Sequence, residues 1–119
     1  MNILWAPWRV GYLMGPKDGC FLCEAPAAGD DRAHLILHRS RRVYVILNSF
    51  PYNSGHLLVA PLRHAARPED LDPEERLDLM DTLALAIRVL EAALRPEGFN
   101  LGLNLGRAAG AGIAQHLHV

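Results

Sequence analysis

The feature that most constrains the fold is a long helical pattern at positions 73–95. Asp72 is a good N-cap, Pro73 suits the first helical position, and Glu75 completes a capping box. Pro96 ends the pattern. Apolar residues recur at helical spacing and define one face that we expect to lie in the core: Leu77, Met80, Leu83, Ala84, Ile87, Leu90 and Leu94.

The other apolar runs are short and are predicted to be strands. Three candidates precede the helix and two follow it: 35–37, 43–47, 57–60, 99–105 and the last residues before Val119. This order predicts an α+β fold in which a mostly antiparallel five-stranded sheet packs on one long helix, within a single domain over 1–119. Glycines and prolines predict an irregular segment over 1–24 and a further loop over 25–31.

Charge and apolar patterning argue against two classes of partner. The 119-residue chain has a net charge of −1 with neutral histidines, which gives no electrostatic case for nucleic acid or an anionic membrane. No apolar run approaches the roughly 18 residues of a membrane helix. The first ten residues also lack the apolar core of a signal peptide. We therefore expect a cytoplasmic protein that binds neither a membrane nor nucleic acid.

Two histidines near the end of the sequence are candidates for chemistry. If this segment is a strand, His116 and His118 point to one face, and Leu117 and Val119 point to the other. Paired imidazoles suit metal ligands, or a nucleophile with a supporting partner. A half-buried strand with two solvated histidines explains the pattern equally well.

A glycine-rich loop at 106–112 leads directly into this histidine pair. Glycines let backbone N–H groups approach a phosphate, and Asn104 and Arg107 offer further contacts to phosphate or sugar oxygens. By itself such a loop more often forms a flexible hairpin connection. The combination of this loop with paired histidines is more specific than either part.

The two cysteines of the chain lie close together, at Cys20 and Cys23. Such a pair forms a disulfide, a redox centre or half of a metal site. A structural disulfide is the least expected of the three in a cytosolic protein. The redox alternative needs a thioredoxin-like context, which the sequence does not have.

A set of short motifs extends over the whole chain. They are Leu-Trp-Ala-Pro-Trp-Arg at 4–9, Cys-Phe-Leu-Cys at 20–23, Val-Ile-Leu-Asn at 45–48, Pro-Tyr-Asn-Ser-Gly-His-Leu-Leu-Val at 51–59, Pro-Leu-Arg-His at 61–64, Asp-Leu at 70–71, Gly-Phe-Asn at 98–100, Asn-Leu-Gly at 104–106 and Gln-His-Leu-His-Val at 115–119. With these motifs the chain resembles the histidine triad family, and within it the branch of diadenosine tetraphosphate phosphorylases. The resemblance implies a nucleotidyl hydrolase or transferase that acts on dinucleoside polyphosphates or related nucleotides.

The resemblance also implies roles for three histidines. His118 matches the family's nucleophile, which attacks the α-phosphate and forms a nucleotidyl-histidine intermediate that water or phosphate then releases. His116 matches the first histidine of the triad. His56, in the Gly-His step, matches a histidine that supports the catalytic group.

Four further positions match the substrate-binding residues of the family. Asn48 corresponds to a residue that contacts the ribose hydroxyls, and Asn104 belongs to the phosphate-binding segment. Gly110 and Gly112 lie in the loop of that segment, and Gly112 stands where some relatives have a serine.

A structural zinc site is implied by the same resemblance. Zinc-containing members of the family combine a Cys-x2-Cys pair with two histidines, and the matching residues here are Cys20, Cys23, His64 and His116. Thiolate and imidazole are preferred zinc ligands. Such a metal would anchor the segment that presents His118.

The chain departs from the family pattern at its last residue. The triad reads His-φ-His-φ-His-φ-φ, where φ is apolar, and this sequence ends after the second histidine and one apolar residue. We expect the native chain to continue past Val119, since it ends within the final predicted strand. The resemblance also implies a homodimer. The rival hypotheses are a nucleotide-binding module without turnover and a zinc-stabilised interaction protein.

Overall fold

The computed structural model describes residues 19–48, 55–106, 108 and 115–119. Within them, a three-stranded antiparallel sheet of order β1-β2-β3 packs against one long helix. The elements in chain order are helix α1 (Phe21–Ala27), strands β1 (Ile36–Arg39), β2 (Val43–Leu47) and β3 (Leu57–Pro61), a 3-10 turn (Pro68–Asp70) and helix α2 (Pro73–Leu94). No helix in the described part of the chain is long and apolar enough to cross a membrane.

The central strand β2 separates two apolar cores because successive side chains of a strand point to opposite faces. Val43 and Val45 pack on the α2 side, in a cluster that includes Leu79. Tyr44 and Ile46 point to the other face. Partners there include Leu22, Ala25, Ile36 and Ala60. Both faces are therefore covered, and the register pairs Val43 with Pro61 and Leu47 with Leu57.

The predictions of an irregular segment over 1–24 and a loop over 25–31 are wrong at positions 21–27, since Phe21–Ala27 is helical. Residues 28–31 form no helix or strand. Residues 1–18 lie outside the described residues. The helix forms because Leu22 and Ala25 bury against β2, and this tertiary packing outweighs the breaker signals of the sequence. Cys20 is its N-cap, and the carbonyl of Cys20 accepts the N–H of Glu24 at 2.8 Å.

The predicted start of α2 is confirmed. Asp72 is the N-cap, and its N–H donates to the Glu75 carboxylate at 2.8 Å, which is one arm of the capping box. The helix ends at Leu94. Arg95 then adopts a left-handed conformation with φ 49°, and its N–H bonds the carbonyl of Glu91 at 3.1 Å.

The predicted core face of α2 is partly wrong. Leu77 and Met80 are 64% and 65% exposed, whereas Leu79 and Thr82 are buried. Leu94 is exposed as well, whereas Leu83, Ile87 and Leu90 are partly buried. Apolar residues occur on more than one side of this helix, so spacing alone did not identify the buried side. The carboxylate of Glu75, in the first turn, is buried and paired with Arg63, so this side of the helix faces the body of the protein.

The described residues contain three strands, so the prediction of five is wrong. Residues 99–105 make no backbone hydrogen bond within the described part of the chain, and an extended segment joins a sheet only when a neighbour supplies such partners. The end of the chain comes closer to the prediction. Val119 and Val59 exchange both backbone hydrogen bonds, at 2.9 and 3.0 Å, which is the pattern of an antiparallel pair.

Candidate functional site

Four side chains from distant parts of the sequence meet beside the sheet. Cys20 and Cys23 come from the first turn of α1, His64 follows β3, and His116 lies near the end of the chain. Each offers one ligand atom, and these four atoms all lie within 4.8 Å of one another. His116 is completely buried, whereas the His64 side is exposed. The group could hold a metal ion.

The spacing of the donor atoms suits tetrahedral coordination. His116 Nδ1 lies 3.2 Å from Cys20 Sγ and 3.3 Å from Cys23 Sγ, and His64 Nδ1 lies 3.2 Å from Cys23 Sγ. Metal–sulfur and metal–nitrogen bonds of about 2.3 and 2.0–2.1 Å imply tetrahedral S···N edges of roughly 3.6 Å. The two imidazole rings meet edge to face, with centroids 5.1 Å apart. The donor set, two thiols and two imidazoles, therefore fits a metal that prefers nitrogen and sulfur.

The imidazole of His116 is oriented by the carbonyl at the end of β3. Its Nε2 lies 2.8 Å from the carbonyl oxygen of Pro61, which can only accept, so Nε2 carries the proton. Nδ1 then keeps its lone pair toward the two sulfurs. Burial lowers the pKa of His116, which also favours the neutral ring.

The thiol of Cys23 holds its proton in the metal-free site. Burial, followed by the hydrogen bond and charge of Cys20, raises the pKa of Cys23 to about 11. Only the thiolate is a good metal ligand, so a bound cation must displace this proton.

His118 is partly buried and is oriented by the neighbouring backbone. Its Nδ1 lies 3.0 Å from the carbonyl oxygen of His116, so Nδ1 carries the proton and donates. In the neutral ring the other nitrogen, Nε2, then carries the lone pair that a nucleophile or a base uses. The residue that contributes a ligand atom to the metal-compatible group therefore also orients the second histidine through its backbone.

Asn48 and His56 meet where β2 ends and β3 begins. The Asn48 amide nitrogen lies 3.3 and 3.4 Å from the two ring nitrogens of His56, and the Asn48 N–H donates to the His56 carbonyl at 3.2 Å. His56 also lines an open, mostly apolar cavity of about 430 Å³ between β3, the inner side of α2 and the segment 96–102.

The remaining predicted substrate-binding residues are not joined to these groups. Asn104 is exposed, and within the described residues it makes no hydrogen bond to any other predicted site residue. Gly110 and Gly112 lie outside the described residues.

One ion pair beside the cluster was not foreseen from the sequence. The Arg63 guanidinium donates two hydrogen bonds to the buried Glu75 carboxylate, at 2.8 and 3.0 Å. This bond to Arg63, the neighbour of His64, is the first cause of a lowered pKa at Glu75. The pair ties the segment that carries His64 to the first turn of α2. A glutamate at the third position of a helix predicts a capping box with Asp72. Nothing in the sequence predicts that Glu75 also pairs with Arg63.

A comparison with protein families decides the wider relationship. The model of the HIT domain, the histidine triad domain, matches residues 30–119. The chain belongs to the HIT family.

Two curated relatives are named enzymes. The AP-4-A phosphorylase of Mycobacterium tuberculosis is 41% identical over 98% of this chain and 64% of its own length. The asymmetrical bis(5'-nucleosyl)-tetraphosphatase of Schizosaccharomyces pombe is 31% identical over 71% of this chain and 46% of its own.

Solved structures of the HIT family share the fold. A HIT family protein from Bacillus anthracis superposes with a TM-score of 0.74 at 26% identity, over 85% of this chain and 71% of that chain. The chain spans less than two thirds of the length of the two curated relatives above.

Proposed function

We propose that this HIT protein is a nucleotidyl hydrolase or transferase that acts on dinucleoside polyphosphates through His118. The observation that carries the proposal is the 3.0 Å contact between His118 Nδ1 and the His116 carbonyl. In the neutral ring this contact leaves the lone pair on Nε2, which is the form that a histidine nucleophile requires. The names of the two curated relatives support the substrate class.

The reaction we propose has two displacement steps. In the first, Nε2 of His118 attacks the α-phosphorus, a P–N bond forms, and the P–O bond to the leaving polyphosphate breaks. The imidazole becomes positively charged in this step, and the His116 carbonyl stabilises that charge by accepting the Nδ1–H bond. In the second step an oxygen of water or phosphate attacks the phosphorus, the P–N bond breaks, and His118 returns to its neutral form. When water is the acceptor, the proton that it loses passes to solvent.

The acceptor of the nucleotidyl group in the second step is either phosphate or water. We favour phosphate over water, because the resemblance points to the phosphorylase branch and the M. tuberculosis relative is named a phosphorylase. With phosphate the products of diadenosine tetraphosphate are ADP and ATP. With water one product is AMP.

We further propose zinc as the metal of the Cys20, Cys23, His64 and His116 group, since two thiolates and two imidazoles are its preferred ligands. Bound there, zinc would act structurally, as a cross-link between α1 and the segment before His118. The chain's own contribution is to hold Nδ1 of His116 toward the sulfurs through the Pro61 carbonyl.

Roles for the other predicted residues follow from the resemblance. We assign His56 to the support of the catalytic group and Asn48 to the ribose hydroxyls, and their mutual contact favours a common site. Asn104, Gly110 and Gly112 are assigned to the phosphates. These assignments are proposals.

The proposal also covers the domain organisation, location and oligomeric state of the protein. We propose one domain over 1–119, because α1, which precedes the family match, shares a buried cluster with β2. A cytoplasmic location accords with two free cysteines at metal-compatible positions. A homodimer is carried by the resemblance alone, and light scattering on the native protein tests it.

Product analysis on diadenosine tetraphosphate tests the proposed function. The native protein is assayed with and without phosphate, beside His118→Ala and a control, His38→Ala, which removes an exposed histidine of β1. We expect ADP and ATP only with phosphate, from the native protein and the control but not from His118→Ala. AMP without phosphate would identify a hydrolase instead. Nucleotide binding without any product would favour the non-catalytic binding module, and neither binding nor product would favour the zinc-stabilised interaction protein.

A further inference from the structure

A buried backbone carbonyl lies between the two cysteines of the metal-compatible group. In an α-helix the carbonyl of residue 22 accepts the N–H of residue 26. Residue 26 of this chain is a proline inside α1, and proline has no N–H to donate. Leu22 is completely buried, so water does not replace the missing donor.

The hydroxyl of Tyr44 supplies the missing hydrogen bond. Tyr44 O–H donates to the Leu22 carbonyl at 2.6 Å, and both residues are fully buried. Burial is the first cause of a raised pKa at Tyr44, so the hydroxyl keeps the proton that it donates. Proline and tyrosine therefore act as a pair, since Pro26 leaves the carbonyl free and Tyr44 binds it.

Tyr44 is well placed to act as an anchor. It lies in the central strand, where its backbone is paired with Arg39 on β1 and with Ala60 on β3. Its hydroxyl binds the carbonyl of Leu22, which directly precedes Cys23 and lies two residues after Cys20. The histidine half of the group is attached to the same sheet through the Pro61 carbonyl.

We propose that Tyr44, acting with Pro26, is a positioning residue that sets the two cysteine sulfurs of α1 at metal-binding distance from His116. This inference rests on the metal centre proposed above. Tyr44 makes its hydrogen bond to the backbone of α1, at the Leu22 carbonyl, and acts on the sulfurs through that bond. Hydrogen bonds that orient metal ligands typically change metal affinity by about 10–100-fold, and Tyr44 orients the backbone that carries two of these ligands.

Cobalt binding tests the inference without reference to enzyme activity. Metal-free native protein is titrated with Co²⁺, and the thiolate-to-cobalt absorption gives the affinity. Tyr44→Phe removes one oxygen and keeps the ring, and it is expected to weaken Co²⁺ binding by at least about tenfold. Ile46→Val is the matched control, because it removes one methyl group from the same buried cluster and no hydrogen bond. It is expected to change Co²⁺ affinity by less than about twofold.

Pro26→Ala separates positioning from a general loss of stability. It restores an N–H at position 26, which bonds the Leu22 carbonyl within the helix. In that background Tyr44→Phe is expected to weaken Co²⁺ binding by less than about threefold, so the two substitutions are not additive. Equal losses in the two backgrounds would overturn the inference, and so would Co²⁺ affinity unchanged by Tyr44→Phe. If the native protein shows no thiolate-to-cobalt absorption at all, the metal centre itself is overturned and this inference with it.

Discussion

His116 Nε2 donates a hydrogen bond to the carbonyl of Pro61 across 2.8 Å, between residues that are 55 positions apart in the chain. This bond fixes the tautomer of His116 and directs its Nδ1 to the cysteine sulfurs. The backbone carbonyl of the same residue accepts a hydrogen bond from His118 Nδ1. One buried residue thereby connects the metal-compatible group to the histidine that we propose as the nucleophile.

Loss of a metal ligand should therefore have a smaller effect on chemistry than loss of the nucleophile. We expect His64→Ala to lose its metal while keeping part of its activity, because His64 contacts the cysteine side and leaves the bond between His118 and His116 intact. His118→Ala should lose activity by at least about 10³-fold and keep its metal. Metal content by elemental analysis and kcat on diadenosine tetraphosphate measure both. A stoichiometric metal in His64→Ala would contradict the assignment of this ligand.

Metal removal should destabilise the folded protein. A metal that binds only the native state, at a free concentration about 1,000 times its Kd, adds about 4 kcal/mol to the free energy of unfolding. We expect an excess of chelator to lower the melting temperature and added Zn²⁺ to restore it. The double variant Cys20→Ser, Cys23→Ser should melt at one temperature with or without chelator. If chelator leaves the melting temperature of the native protein unchanged, the metal-compatible group does not stabilise the fold through a metal.

The rotation of α2 predicts very different effects for two neighbouring leucines. Leu79 is buried against β2 and Leu77 is 64% exposed. Leu79→Ala should lower the free energy of unfolding by roughly 2–4 kcal/mol, as expected for a leucine removed from a core. Leu77→Ala should change it by less than about 0.5 kcal/mol, since it removes a solvated side chain. Urea unfolding curves measure both values, and the reverse order would mean that the helix presents its other side to the sheet.

The Arg63–Glu75 ion pair should make stability depend on pH in the acid range. The hydrogen bonds from Arg63 lower the pKa of Glu75 below its ordinary value of about 4.3. A carboxylate of this kind stabilises the fold fully above the unfolded-state pKa, and its contribution is lost as the pH falls through the lower folded-state pKa.

We therefore expect Glu75→Gln to be less stable than the native protein at pH 7, with a difference that shrinks below pH 4. Thermal unfolding of both proteins across this range measures the difference in stability. The contributions of other carboxylates, such as Asp31, are the same in both proteins and cancel. A difference that stays constant with pH would contradict the ionised pair.

Local signals in the sequence predicted the elements with strong periodicity or capping. Helix α2 has Asp72 as its N-cap, as expected. The strand at 43–47 follows its β-branched and aromatic run, and the strand at 57–61 matches the apolar run predicted at 57–60. The family resemblance predicted that Cys20, Cys23, His64 and His116 would form one group, and the structure brings their ligand atoms together.

Tertiary contacts explain what the sequence could not predict. Helix α1 is stabilised because Leu22 and Ala25 pack in a buried cluster with side chains of β2. No local pattern in the sequence predicts this contact. Glu75 lies on the buried side of α2 and is paired with Arg63, which belongs to another segment. Helical spacing within α2 does not reveal this partner. Residues 99–105 look like a strand by composition, but strand formation needs a neighbour, and composition does not supply one.

Trapping the covalent intermediate tests the central claim most directly. The native protein is mixed with diadenosine tetraphosphate, quenched within the first turnover under conditions that preserve the P–N bond, and digested for mass spectrometry. The account predicts one adenylyl group on His118, absent from His118→Ala and present in the His38→Ala control. An active protein that never carries this group, or that carries it on a different residue, would contradict the proposal that His118 is the nucleophile.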